Sequence, residues 1–317
     1  TSAAWDYYMG ARVALDSLEK IGLKAEINVF DYQSRNKNLD QLLASSEMKK
    51  MDLIYAPFQA KESEKIAAWS KVNKIRTVFP VSVPSSLLEE NKYAYAMTPT
   101  NDFLAENLAS YIHQLHTNQQ IVLIKSEKQE DQLNYEVFLS AFKQMPAKAS
   151  RPRVIEASWS DYKKYEKLGT EIFYIFLSTD TEKVIALLKT YSEKSNVLVF
   201  GLKEWVDFKE VNSEIKNKFN FYYASPTYFS FREPTIIPFH KRIRSQFGVD
   251  LSKITCLGFD VTFNTSANLL LGKKIDAGLI SGYNIFQSGT GNGFQNKSGF
   301  ILKFEDFESN KVEWKKN

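Results

Sequence analysis

Ile172-Phe173-Tyr174-Ile175-Phe176-Leu177 is an apolar run without a polar break, and Val197-Leu198-Val199-Phe200-Gly201 repeats the pattern beyond the helical segment Thr181–Tyr191. Runs this short are strand-length, and continuous apolarity means burial on both faces. A helix between two such strands makes a βαβ unit, so the strands are expected to lie parallel in one sheet. Upstream, strand Ile121–Ile124 precedes helix Leu133–Met145, and strand Val154–Ala157 precedes a charged helix near Asp161–Leu168. Tyr222–Ser225 reads as the last strand of this series.

A first series of the same kind fills the amino-terminal third. Tyr8, Ala11, Leu15 and Leu18 fall at helical spacing, and Gly22 ends that helix. Ile27 and Val29 alternate with polar residues as a short strand ending at Asp31. A helix through Leu39, Leu42, Leu43 and Met48 leads to strand Leu53–Ala56, which stops at Pro57. A helix over 62–72, a strand at Thr77–Phe79, the Pro/Ser loop Pro80–Ser86, strand Tyr93–Met97 and helix Phe103–His116 follow. The carboxyl-terminal part departs from this alternation. Helices at Pro238–Phe247 and Leu257–Leu271 lead to the Gly-rich segment Ser288–Gly293, and Phe300–Phe307 with Lys311–Trp314 alternates like a hairpin. The expectation is α/β architecture: two doubly wound parallel-sheet lobes sharing the tail.

Bulk properties agree. The chain has 317 residues, 44% hydrophobic and 25% charged, enough apolar content for folded cores and enough length for about two domains. Forty-one basic against 37 acidic residues leave +4, with no basic block, so a nucleic-acid partner is not expected. No apolar run is long enough to span a membrane. The lone Cys256 excludes an internal disulfide and a Cys-ligated zinc site.

Few side chains are available for catalysis. His113 and His116 have i, i+3 spacing but no third ligand nearby, and His240 sits in the basic run His240–Arg244. Ser82, Ser85 and Ser86 lack the G-x-S-x-G context of a hydrolase. Gly289-Thr290-Gly291-Asn292-Gly293 continues into Phe294-Gln295 instead of the Lys-Ser/Thr of a phosphate loop. Neither an enzyme nor a bound cofactor or metal is expected. Asn264-Thr265-Ser266 and Asn296-Lys297-Ser298 are formal glycosylation sequons.

Several ordered motifs carry a family resemblance. Gly10-Ala11-Arg12-Val13-Ala14-Leu15-Asp16 is similar to a "G-A-x-L-A-x-D" helix, and Val29-Phe30-Asp31 to a strand-ending Asp. Leu53-Ile54-Tyr55-Ala56-Pro57 resembles "aiiGP" with Ala56 in place of Gly, and Thr77–Ser82 resembles "P-x-I-S-P". Tyr95–Asn101 and Gly258-Phe259-Asp260 match two later motifs, "vFR-x-x-P-s-D" and "G-Y-D-A". In order and spacing these resemble the type I periplasmic-binding-protein superfamily, most closely its branched-chain-amino-acid-binding-like branch.

The resemblance implies two α/β lobes joined by a three-crossover hinge, with a ligand held in the interlobe cleft. Lobe one would be 1–118 plus 230–284, and lobe two 119–229 plus 285–317, with crossings near Asn118–Gln120, Tyr228–Pro234 and Gly282–Ser288. Relatives begin with a central strand before the first helix, whereas this sequence opens at Thr1-Ser2-Ala3. A strand upstream of Thr1, lying between Ile27–Val29 and Leu53–Tyr55, is therefore expected. In amino-acid-binding relatives, hydroxyl side chains and backbone N–H groups of lobe one hold the ligand carboxylate, and an acid of lobe two holds its ammonium. The corresponding loops here supply Phe58, Ser82 and Ser85 in lobe one, and Glu204 and Trp205 in lobe two. The usual Ser/Thr positions fall on Ala60 or Lys61 and on Val83, so the pattern is altered. Tyr7, Tyr8, Tyr222 and Tyr223 are further aromatics near strand ends, suited to lining a pocket or packing a core.

Two functions compete. One is a solute-binding domain for a small, amino-acid-like ligand. The other is a periplasmic or cell-envelope scaffolding module with a degenerate ligand site and a protein partner, of the branch linked to peptidoglycan-binding LysM modules. A Rossmann-like enzyme lacks both fingerprint and catalytic constellation.

Overall fold

The computed structural model describes residues 3–32, 38–56, 60–115, 119–146, 154–166, 169–211 and 213–314. In chain order the first part runs α1 (Ala3–Lys20), α2 (Leu39–Ala44), β1 (Leu53–Tyr55), α3 (Ala60–Asn73), β2 (Arg76–Phe79) and β3 (Ala94–Ala96). The middle comprises α4 (Asn101–Leu115), β4 (Gln120–Ile124), α5 (Gln132–Gln144), β5 (Val154–Ala157), β6 (Ile172–Ile175), α6 (Thr181–Tyr191), β7 (Val197–Gly201), α7 (Ser213–Lys216) and β8 (Phe221–Ser225). The tail adds α8 (Ile236–Phe247), α9 (Lys253–Leu271), β9 (Ile285–Gln287), β10 (Phe294–Asn296), β11 (Phe300–Glu305) and β12 (Glu308–Lys311).

The chain separates into two compact units: Thr1–Thr100 with Phe229–Ser298, and Asn101–Tyr228 with Gly299–Asn317. The first holds a sheet of order β1-β2-β3-β10-β9, parallel except for the antiparallel pair β9/β10. The second holds a sheet of order β12-β11-β8-β7-β6-β4-β5, in which β11 runs antiparallel to both its neighbours, β8 and β12, and the other pairs are parallel. Both are mixed sheets of mostly parallel strands, the α/β class read from the βα alternation.

The division differs from the sequence boundaries in two places, each for a packing reason. Helix α4 belongs to the second unit because Leu104, Leu108 and Ile112 bury into the core that covers β4, β6 and β7. The β9/β10 hairpin belongs to the first unit because Phe294 and Gln295 pair in parallel with Tyr95 and Ala96 of β3. No strand is expected from the sequence at either hairpin segment, Ile285–Gln287 or Phe294–Asn296.

Other local expectations shift as well. Ile27–Val29 forms no strand; both side chains are exposed, and the run makes no ladder with β1, whose partner strand is β2. The helix expected through Met48 stops at Ala44, and Met48–Lys50 is a separate 3₁₀ turn. Asn38 starts α2 with a reciprocal capping box to Gln41. The charged helix near 161–168 is a 3₁₀ turn at Tyr162–Tyr165 among the described residues. The last hairpin turns at Asp306 and Phe307, both at positive φ, so its second strand is Glu308–Lys311 and not Lys311–Trp314.

In the first unit, α1 lies against α9 at a backbone-to-backbone approach that two glycines allow. A Cβ at Gly10 would fall 1.8 Å from the Thr255 carbonyl oxygen, and one at Gly258 would fall 2.1 Å from that of Tyr7. Beside this contact, the Asp260 carboxylate accepts N–H bonds from Leu279, Ile280 and Ser281 at 2.6–3.0 Å. Burial nevertheless pushes its pKa up to about 6, with those three donors pulling the other way.

Candidate functional site

In a doubly wound sheet the loops after the carboxyl ends of parallel strands are where functional side chains gather. Within the first unit, β2 ends at Phe79 and enters the loop that carries Ser82 and Ser85. The Thr98 hydroxyl donates to the Pro80 carbonyl at 2.7 Å, and Val83 is buried, which fixes the loop between them. Ser82 and Ser85 are both exposed, and Ser85 opens the 3₁₀ turn Ser85–Leu88. Phe58 lies outside the described residues.

Within the second unit, β7 ends at Gly201, and the 3₁₀ turn Lys203–Asp207 carries both Glu204 and Trp205. Their environments differ. Trp205 is wholly buried: its indole N–H donates to the Ser178 carbonyl at 2.8 Å, and its ring lies 5.2 Å from that of Phe221. It is a core anchor for the turn, not a pocket wall.

Glu204 is half-buried and already occupied. Its Oε1 pairs with the ammonium of Lys203 and accepts the Asn101 amide at 3.2 Å. Lys203 Nζ also donates to Asn101 Oδ1 at 3.0 Å, so three side chains close a ring of hydrogen bonds. Glu204 Oε2 is buried and makes no hydrogen bond to a described residue. Beside it is a cavity of about 10 Å³ against Leu104, Leu177 and Leu202. That holds one water at most.

Next to this turn a second polar group braces the strand ends. The buried Asp131 carboxylate accepts from Ser126 Oγ at 2.6 Å, Ser178 Oγ at 2.9 Å and the Thr179 N–H at 3.1 Å. Every member is satisfied, the condition under which a buried polar network stabilises. Lys203 and Asn101 were not singled out in the sequence. Lys203 could have been, since it directly precedes Glu204; Asn101 could not, because only folding brings it there.

The remaining titratable candidates are structural. His113 meets the Phe142 ring edge-on and contacts the Pro146 carbonyl, and His240 pairs with Asp250, while His116 lies outside the described residues. Burial drives the Cys256 thiol well above its ordinary pKa, which keeps it from nucleophilic use. Among the described residues no three His, Cys, Asp or Glu side chains group as metal ligands, and no helix is long and apolar enough to cross a membrane. Both sequon asparagines are buried, and Asn296 Nδ2 is committed to the Met97 and Gly282 carbonyls. Tyr223 is buried with its hydroxyl on Ser309, and Tyr7 is buried in the first unit.

No family model and no curated protein sequence matches the chain. Solved structures do. A protein assigned as a branched-chain amino acid ABC transporter from Rhodospirillum rubrum superposes with TM-score 0.72 at 12% identity, covering 98% of this chain and 95% of that one. An ABC transporter substrate-binding protein from Desulfitobacterium hafniense, in complex with Leu, gives 0.63 at 11% identity over 96% and 95%. Full-length LpoA from Haemophilus influenzae gives 0.64 at 10% identity, covering 98% of this chain but 56% of that one.

Proposed function

We propose that this chain, which has the type I periplasmic-binding-protein fold, is a non-catalytic binding module of the periplasm or cell envelope whose partner is a protein and not a free amino acid. The ring formed by Lys203, Glu204 and Asn101 carries this reading. A carboxylate offered to a ligand ammonium must be free of a competing cation, and Glu204 has one on its own neighbouring residue. Burial of Trp205 and the replacement of hydroxyl positions by Ala60 or Lys61 and Val83 point the same way. The match to LpoA extends the fold beyond the amino-acid-binding proteins.

A thermal-shift panel of the twenty amino acids at 10 mM tests it. A ligand present at 100 times its Kd would stabilise the fold by about 2.7 kcal/mol. No shift is expected, and a shift with any amino acid that Glu204→Gln abolishes would overturn the reading. Photo-crosslinkers at exposed positions in intact cells are expected to yield protein adducts.

The solute-binding alternative is favoured by one observation, the exposed Ser82 and Ser85 hydroxyls on the loop after β2. It predicts a shift in the same panel that Ser82→Ala reduces.

A further inference from the structure

We infer that Lys203 is the specificity-determining residue of the Glu204 position: its ammonium is a built-in occupant that keeps external primary amines out. The inference rests on the reading of Glu204 given above and names the residue responsible.

The ring supplies two of the three acceptors that a primary ammonium can use. Glu204 Oε1 and Asn101 Oδ1 both receive Lys203 Nζ, and the Asn101 amide is turned so that its own N–H binds Glu204. A ligand ammonium would need those same two oxygens, and two cations cannot share them. The competition is uneven, because Lys203 is tethered to the residue it neutralises. A group held by a short tether acts at an effective concentration in the millimolar range or above. Free amines must exceed that to displace it.

The pairing leaves something over. Glu204 Oε2 is buried beside Leu104, Leu177 and Leu202 without a hydrogen bond to a described residue. A carboxylate oxygen removed from water and left unpartnered is unfavourable and favours any donor that can reach it. Taking away the Lys203 ammonium would therefore leave Glu204 and Asn101 Oδ1 as an open cation subsite. Methionine keeps an unbranched stem of similar reach along the same wall, without the charge.

The experiment titrates ethylammonium chloride into wild type, Lys203→Met and Lys203→Met/Glu204→Gln, followed by ¹H–¹⁵N chemical shifts. Tetramethylammonium, which has no N–H donor, is the control. Lys203→Met is expected to bind ethylammonium at least tenfold more tightly than wild type, to ignore tetramethylammonium, and to lose the gain in the double variant. Equal binding by wild type and Lys203→Met, or equal binding of the two cations, would overturn the inference. If Lys203→Met does not fold, the side-chain ammonium signals of wild type decide. Lys203 is expected to exchange with water more slowly than exposed lysines and to speed up in Asn101→Ala; exchange as fast as an exposed lysine would overturn it. Failure here leaves the amino-acid panel result standing, and a positive panel with wild type removes the broader reading instead.

Discussion

A Cβ placed on Gly201 would lie 2.3 Å from ring atoms of Trp205. Strand β7 ends on a glycine because the indole occupies the space that any other side chain would need. The same indole donates to the Ser178 carbonyl, so the turn bearing Lys203 and Glu204 is held at both its ring face and its N–H.

Gly201→Ala is therefore expected to destabilise the fold by about 1–3 kcal/mol through overpacking. Trp205→Ala should cost about 3–5 kcal/mol, and Trp205→Phe about 1–3 kcal/mol for the Ser178 carbonyl left unpaired. Urea denaturation measures all three. Changes below about 0.5 kcal/mol, the range of ordinary surface substitutions, would contradict this account.

Helices α1 and α9 supply a second test. Ala at Gly10 or Gly258 would meet backbone oxygen, which cannot rotate away as a side chain can. Each substitution gains up to about 1 kcal/mol of helix propensity, yet a net loss of about 1–3 kcal/mol is expected because the helices must separate. A Tm equal to or above that of wild type in either variant would show the approach to be looser than described.

Asp260 predicts a pH dependence with a definite sign. Its pKa rises from 3.8 to about 6 on folding, chiefly through burial. The folded state thus holds a proton that the unfolded state has lost between those values, and stability falls as pH rises through that window. Above it both states are ionised and the dependence ends. The gap corresponds to roughly 3 kcal/mol. Stability measured at pH 4, 5, 6 and 7 for wild type, minus that of Asp260→Asn, isolates the term. The difference should shrink toward pH 7, and a flat or rising difference would reverse the assignment.

Asp131 predicts a contrast between two substitutions. Asp131→Ala leaves Ser126 Oγ, Ser178 Oγ and the Thr179 N–H without their shared acceptor, so a loss of about 3 kcal/mol or more is expected. Asp131→Asn retains one acceptor oxygen and should cost less than half as much. Guanidinium midpoints would show it, and equal losses would mean that the network is held by shape alone.

The sequence by itself determined the alternation of strands and helices, because a strand buried on both faces must be continuously apolar and a helix must stripe. Ile172–Leu177, Val197–Gly201 and the Leu104/Leu108 stripe are local patterns, readable without knowing what they pack on. Gly248 could likewise be read as a helix end, and it adopts the left-handed conformation that caps α8. Tertiary structure alone decided which sheet each element joins. The α4 stripe reads the same on either sheet, and β10 is a strand through its pairing with β3, two hundred positions away in the chain. The same holds at the site. Glu204 was legible as an acid on a strand-end loop, but its availability to a ligand depends on the hydrogen bonds of Lys203 and of Asn101, and only folding delivers Asn101. Hydrophobic period is written in neighbours along the chain; the pairing of charges and strand edges depends on distances that no short stretch of sequence contains.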